Sequence, residues 1–430
     1  MLLDRLHVHR LCVFLLPCLI LIPYGGEGAY KASNFIIMMF LMFVFMIAFF
    51  SVKEKKIKSY YCFFILLSSV LMFFQLVSDL FVPIFTDIVL YESDLSELSR
   101  SYSFIMPFLI LMLLKTSSKL SERDFFQLLL FALLILSVAN FLLSILPKLT
   151  FYTDNLVVLY GEGKVYNEGY ARYRAFGIIG QPGKAGIFSV ISTMIALLHL
   201  RIYSNNKIIV YVIVFFSLIS ASLTLSRTAL ILILSVIIFF GSGFKLKLFL
   251  YAMIFFVFSY VLFLEPEYFK MLSRGFDLES GNYSTASHRL VSKLWALDTI
   301  SDHWITVLFG VGDSKEYMSQ FSHPYAFDLS LRTPDSTQTV WMLRYGLLGM
   351  LVAYAPIIYI FSLNFKSIWS DFSFRNMSIK LFPIGIVILL SLVDPMFHDA
   401  KINILNSILF MYVFQLILRE KYEKSIGCRT

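Results

Sequence analysis

Charge is what this sequence has least of: Asp, Glu, Lys and Arg make up 15% of its 430 residues, where soluble domains carry about a quarter. A chain so short of charge cannot cover itself for water, which excludes a cytosolic enzyme. Cysteine is scarce as well. Of the four, Cys12, Cys18 and Cys62 lie in or beside apolar runs and Cys428 near the C-terminus, with no CxxC or metal spacing, so neither a disulfide framework nor a metal site is expected. There is no HExxH and no Ser-His-Asp pattern. LFGVGD at 308–313 lacks both the GxGxxG spacing and the Lys-Ser/Thr of a nucleotide loop, so no nucleotide cofactor is expected. Internal repeats and inverted pairs of broken helices are missing, and so are the ten-residue alternating segments of an outer-membrane barrel.

What the sequence has is apolar length. Hydrophobic residues make up 58% of the chain and aromatics 17%, gathered in runs at about 10–24, 35–51, 60–78, 101–115, 125–146, 176–200, 208–223, 227–241, 246–264, 337–362, 379–396 and 402–418. A bilayer-spanning helix takes about 20 apolar residues, and a span must satisfy its own backbone, so the runs predict helices. The expected fold is an all-α polytopic membrane protein of about twelve spans. The start, Arg5 to Arg10 followed by LCVFLLPCLILIP, imitates a signal peptide, but no A-x-A site follows and an uncleaved first span is expected.

Charge placement gives the orientation, because short cytoplasmic loops hold the excess of Lys and Arg. With both termini cytoplasmic, that side carries 20 basic and seven acidic residues, a net +13, and the other side 16 basic and 21 acidic, a net −5. Basic residues scattered between apolar runs do not make a nucleic-acid surface, so no nucleic acid is expected as partner. The chain divides into spans one to nine at 1–264, with a smaller external loop at 147–175, a large external loop at 265–336, and spans ten to twelve with a cytoplasmic tail at 337–430. Loops this long are functional or disordered. In the larger one, SHRLVSKLWALDTI sets Leu290, Leu294 and Leu297 at i, i+4, i+7, the pattern of an amphipathic helix on the membrane surface.

Polar groups inside or at the outer ends of spans need partners or a task, and they collect on one side. Arg172 and Arg174 precede AFGIIGQPGKAG, which holds Gly177, Gln181, Pro182 and Lys184 where a plain span would be uniformly apolar. Two readings stand side by side. Pro182 frees backbone groups that, beside guanidinium groups, suit an anion such as a diphosphate, whereas Gly177, Gly180, Gly183 and Gly186 at three-residue intervals suit a helix-packing seam. Arg227 sits in LTLSRTA between two spans, where snorkelling is the plain alternative, and Arg344 lies nine residues beyond Asp335 in WMLRYGLLG. Among the histidines, His7 and His9 read as terminal surface residues and His199 as interfacial. His288 neighbours Arg289, His323 precedes Pro324, and His303 and His398 each adjoin an Asp.

The order RAFGIIGQP, LTLSRTA, SHRL…W…LFGVGD and PDSTQTVWMLRYGLLG, over roughly 170–350, resembles the superfamily of O-antigen polymerases (Wzy-type) and O-antigen ligases. The resemblance implies a bundle of about ten to fourteen spans with a large periplasmic loop in the bacterial inner membrane. It also implies transfer of a glycan from undecaprenyl diphosphate to an acceptor hydroxyl without metal or cofactor. Carried over by residue, Arg174 with Gly177 and Pro182 falls in the segment associated with the lipid diphosphate. Arg227 matches the Ser-Arg turn, and Arg289 with Trp295, Gly310, Val311 and Gly312 matches the stretch in the large loop. Ligases present a His-Asn pair where this sequence has Asp335-Ser336, a departure that favours a polymerase. Lipid-linked oligosaccharides, the bilayer and a chain-length regulator are the partners so implied.

Transfer from a diphosphate asks for cations on the leaving group, which arginine grips in bidentate fashion; Arg172, Arg174, Arg227, Arg289 and Arg344 are the candidates. The acceptor hydroxyl asks for a base, for which Asp335 ranks ahead of His323. Gln181 and His288 stand as supporting residues. On a continuous helix Asp335 and Gln338 share a face at the mouth of span ten, and Arg344 lies roughly opposite. A ligase, and outside enzymes a lipid-linked oligosaccharide flippase, are the rival readings.

Overall fold

A computed structural model describes residues 5–23, 36–37, 39–46, 66, 69–70, 73–74, 77, 84, 106–117, 120–149, 175–224, 226–240, 293–294, 296–298, 300–301, 303–311, 336–369, 374–393, 397 and 399–427. Among them there is no strand. The helices are α1 (Arg5–Cys18), α2 (Met106–Ser117), α3 (Glu122–Leu149), α4 (Pro182–Tyr203), α5 (Lys207–Leu223), α6 (Arg227–Phe240), α7 (Trp304–Phe309), α8 (Thr337–Trp369), α9 (Phe374–Val393) and α10 (Ala400–Gly427). Each longer helix falls on an apolar run of the sequence; the run at 246–264 lies outside the described residues. Two helical stretches, Glu122–Leu146 and Pro182–Tyr203, are long and apolar enough to cross a membrane.

α4 is the axis of the bundle. A helix that is apolar all round has no face to give to solvent and goes to the centre, and all but a few residues of α4 are buried, Ile187, Val190, Ile191, Ile195 and Leu198 among them. It packs on α5, α6, α10 and α3. Gly186 opens the α6 contact: a Cβ there would lie 2.7 Å from the Ala229 Cβ, so at this position the glycine spacing is a packing seam. From Ala400 to Val413 α10 is buried as completely.

Two cross-links fix α4 and α10 as parallel neighbours. Lys184 meets Asp399 at one end, and His199 Nδ1 lies 2.9 Å from the Tyr412 hydroxyl at the other, separations of roughly 22 and 20 Å at 1.5 Å per residue. That second end also gathers Tyr203 donating to Glu122 at 3.1 Å and the hydrogen bond from Lys115 to Gln415. His199 is fully buried within the bundle, its ring also within 3.0 Å of Asn205. His9 is buried too, at 5% exposure, because α1 turns that face onto α3 and α2; only His7 is the surface residue expected.

Candidate functional site

The end of the bundle where Lys184 meets Asp399 is built around a strip of chain that is not α-helical. Ala175–Gln181 approaches α4 through a 3-10 turn at Gly177–Ile179, with Gly177 at φ +56 and Gly180 at φ +83, then an extended Gln181. Pro182 stands in the first turn of α4, where a missing N–H costs nothing. The expected break inside a span from 176 is thus a lead-in, and the helix begins at Pro182. The carbonyl that a proline at 182 would strand within a helix, Ile178 O, accepts instead from Lys401 Nζ, and Ala185 N donates to Gln181 O at 2.8 Å as α4 begins.

Side chains from other helices pin the strip. Asn140 of α3 accepts from Ile178 N at 3.1 Å through Oδ1, and Lys401 Nζ donates to Ile178 O at 2.9 Å. A Cβ on Gly177 would run into the Asn140 carbonyl oxygen. Ala175 N donates to Leu223 O, at the end of α5, at 2.9 Å. That bond joins RAFG to LTLSRTA backbone to backbone, almost fifty residues away in sequence.

Asp399 holds the opposite side. Its carboxylate pairs with Lys184 Nζ at 3.2 Å, both side chains nearly inaccessible, and Oδ1 accepts from Lys401 N at 3.0 Å and Ile402 N at 3.4 Å. This is an N-cap, and the positive end of the α10 dipole adds to its attraction for the carboxylate. Charges this buried persist only when paired and hydrogen bonded. Asn403 Nδ2 donates to Phe397 O at 2.8 Å and fixes the turn into α10.

Span ten departs most from expectation. α8 is broken at Gly346, whose φ +67 and ψ −174 are open only to glycine. Gln338 Nε2 donates to Tyr354 Oη at 2.5 Å and to Ser391 Oγ at 2.8 Å, and the Trp341 ring lies 4.9 Å from that of Tyr354. On a straight helix residues 338 and 354 stand roughly 24 Å apart. The segment 337–345 therefore folds back against the start of 347–369; Gln338 and Arg344 keep the one continuous helical segment expected of them, and span ten as a whole is not a single straight helix. Residues 339–345 are buried, Arg344 at 2% exposure, with its guanidinium carbon 5.9 Å from the Tyr345 ring centre. Trp341 stacks on Phe397 at 5.3 Å, next to the Asp399 cap.

The corner at Gly346 is filled by the large loop. α7 ends at Gly310 (φ +82, ψ −174), whose Cβ would lie 2.5 Å from both Gly346 N and Leu343 O. Val311 N donates to Leu343 O at 2.6 Å. Leu308–Val311, the described part of the motif set aside above as a nucleotide loop, forms a backbone-to-backbone joint at Gly310 and Gly346.

Of the expected site residues, Gly177, Gln181, Pro182 and Arg344 are placed as above. Arg227 opens α6, its side chain undescribed, and Arg172, Arg174, His288, Arg289, His323 and Asp335 lie outside the described residues. Sequence reasoning missed Asn140, Asp399 and Lys401. The available signal was a Lys and an Asp at the head of two apolar runs that the charge count assigns to the same side. No protein-family model matches the sequence, and no curated protein matches it.

Proposed function

We propose that the chain is a polysaccharide polymerase of the inner membrane, with twelve spans, both termini cytoplasmic and its active end facing the periplasm. It transfers a growing glycan from undecaprenyl diphosphate to a hydroxyl of a new lipid-linked repeat unit. The acceptor oxygen bonds to the anomeric carbon, the bond to the diphosphate breaks and the diphosphate leaves with the electron pair. Asp335 takes the hydroxyl proton, with His323 as the second choice, and Arg172, Arg174, Arg227, Arg289 and Arg344 bind the diphosphate. Apolar length in the sequence, the order of motifs and the outward apolar faces of α6 and α8 support this reading.

The observation that carries it is the bond between Ala175 N and Leu223 O. Two arginine motifs far apart in sequence share one backbone junction, in a strip held rigid by Asn140 and Lys401, as a preorganised diphosphate site requires. Replacing Arg174 or Arg289 with Ala should leave the protein in the membrane and abolish long-chain polymer; unchanged chain length would overturn the assignment.

One observation favours a second reading, a lipid-linked oligosaccharide flippase. Asn406 is buried with neither amide atom hydrogen bonded, roughly 10 Å along α10 from Asp399, and a transporter lines its path with polar groups at such depth. Deleting the protein in its host and resolving surface polysaccharide beside the lipid-linked pool separates the cases. Single capping repeats without a ladder mean polymerase, polymer stranded on lipid means ligase, and repeats trapped on the cytoplasmic side mean flippase.

A further inference from the structure

The stretch from Lys293 to Val311 docks on α8 by one face and leaves the other bare. Ala296, Ile300 and Val311 are buried against Met342 and Leu343. On the opposite side Leu294, Leu297, Trp304 and Leu308 are 55%, 45%, 64% and 38% exposed. Trp304 and Leu308 stand one turn apart, so α7 carries a continuous apolar edge. We infer that this edge is bedded in the outer leaflet of the bilayer, with Trp304 at the headgroup boundary and Leu308 among the acyl chains. The inference rests on the membrane reading above, since it takes α8 to cross the bilayer.

Continuity is the first reason that lipid is the occupant. The joint at Gly310 puts the Leu308 backbone against Gly346, the residue before Leu347 and Leu348, and these begin an exposed apolar stripe that runs on through Leu351 and Ile358. Whatever wets that stripe also wets α7. Level is the second. The Phe309 ring lies 5.6 Å from Phe74, which sits near the end of the third apolar run, five residues before Asp79, the first charge after it.

The third reason is that the docked chain uses its own polar groups. Val307 N donates to His303 O at 3.0 Å, Gly310 N to Thr306 O at 2.8 Å and Val311 N to Leu343 O. The Thr306 hydroxyl lies 2.7 Å from the carbonyl oxygens of both Ile300 and His303. Backbone outside a regular span is tolerated at membrane depth only when satisfied in this way, and tryptophan is the residue that marks the interface.

Single-cysteine variants of the full chain, in a background with its own cysteines replaced, test this in permeabilised proteoliposomes against a charged maleimide. Ser301→Cys, at an exposed position, should label fast, and Leu308→Cys should label at least tenfold more slowly, matching Leu351→Cys. Fast labelling of Leu308→Cys beside an inert Leu351→Cys overturns the inference and leaves the spans standing, with a water-facing or protein-binding edge in its place. Fast labelling of Leu351→Cys overturns both. Should the cysteine-free background fail to fold, the natural chain serves: lipids brominated near the headgroup should quench its tryptophan emission more than they quench that of Trp304→Phe. Equal fractional quenching overturns the inference.

Discussion

Replacing Gly346 with alanine tests the broken helix directly. The new Cβ would meet the carbonyl carbon and oxygen of Leu308 and stand 2.6 Å from Gly310 N, all backbone atoms that no rotamer change can move. Its φ and ψ also belong to a region closed to alanine, at about 1–3 kcal/mol, and overpacking adds about 1–3 kcal/mol. A destabilisation of about 4 kcal/mol follows if the joint does not relax. With an unfolding entropy of about 2 cal/mol/K per residue, that is a fall of roughly 4 °C in the melting temperature of the detergent-purified chain. Gly385→Ala is the control. Nothing lies within 4 Å of the Cβ it would add, and alanine favours a helix interior over glycine by about 0.5–1 kcal/mol, so it should raise the melting temperature slightly. Shifts of the same sign and size in the two variants would refute the argument that close backbone approach holds Gly346.

Other outcomes follow from the cross-links. Asp399→Asn keeps an acceptor for the α10 cap but removes the partner charge of Lys184, and should cost about 3–5 kcal/mol; a double variant with Lys184→Met should recover part of this, read as non-additivity in melting. Asn140→Ala strands the buried Ile178 N–H at about 1–3 kcal/mol and should shorten the polymer, measured as ladder length. Tyr412→Phe removes the hydroxyl that lies against His199 and donates to Phe126 O at 3.0 Å, at the far end of the bundle. It should lower the melting temperature and leave polymer length unchanged.

The apolar runs located the helices because hydropathy reports burial along a segment, and α3, α5, α6 and α9 sit where the runs lie. Hydropathy carries no direction, however. WMLRYGLLG is apolar whether it runs straight or doubles back, and only the contact with Gly310, well upstream, decides. Pro182 was ambiguous for a local reason: a proline interrupts a helix or starts one, and the left-handed Gly180 and extended Gln181 that select a start are set by Asn140 and Lys401 from other helices. The pair Lys184–Asp399 spans half the chain, beyond the reach of any periodicity. His9 misled because its helix face was read without its neighbours.

The joint at Gly310 and the fold-back at Gly346 also govern how this chain can vary. Val311 is tied to Leu343, and Ser336 heads the same short segment, so residues 312–335, with His323 and Asp335 among them, leave and rejoin the bundle at points roughly 10 Å apart. Doubling such a connection costs only about 0.6 kcal/mol in closure entropy. The length of this connection can therefore change at little cost to the joint that holds its two ends.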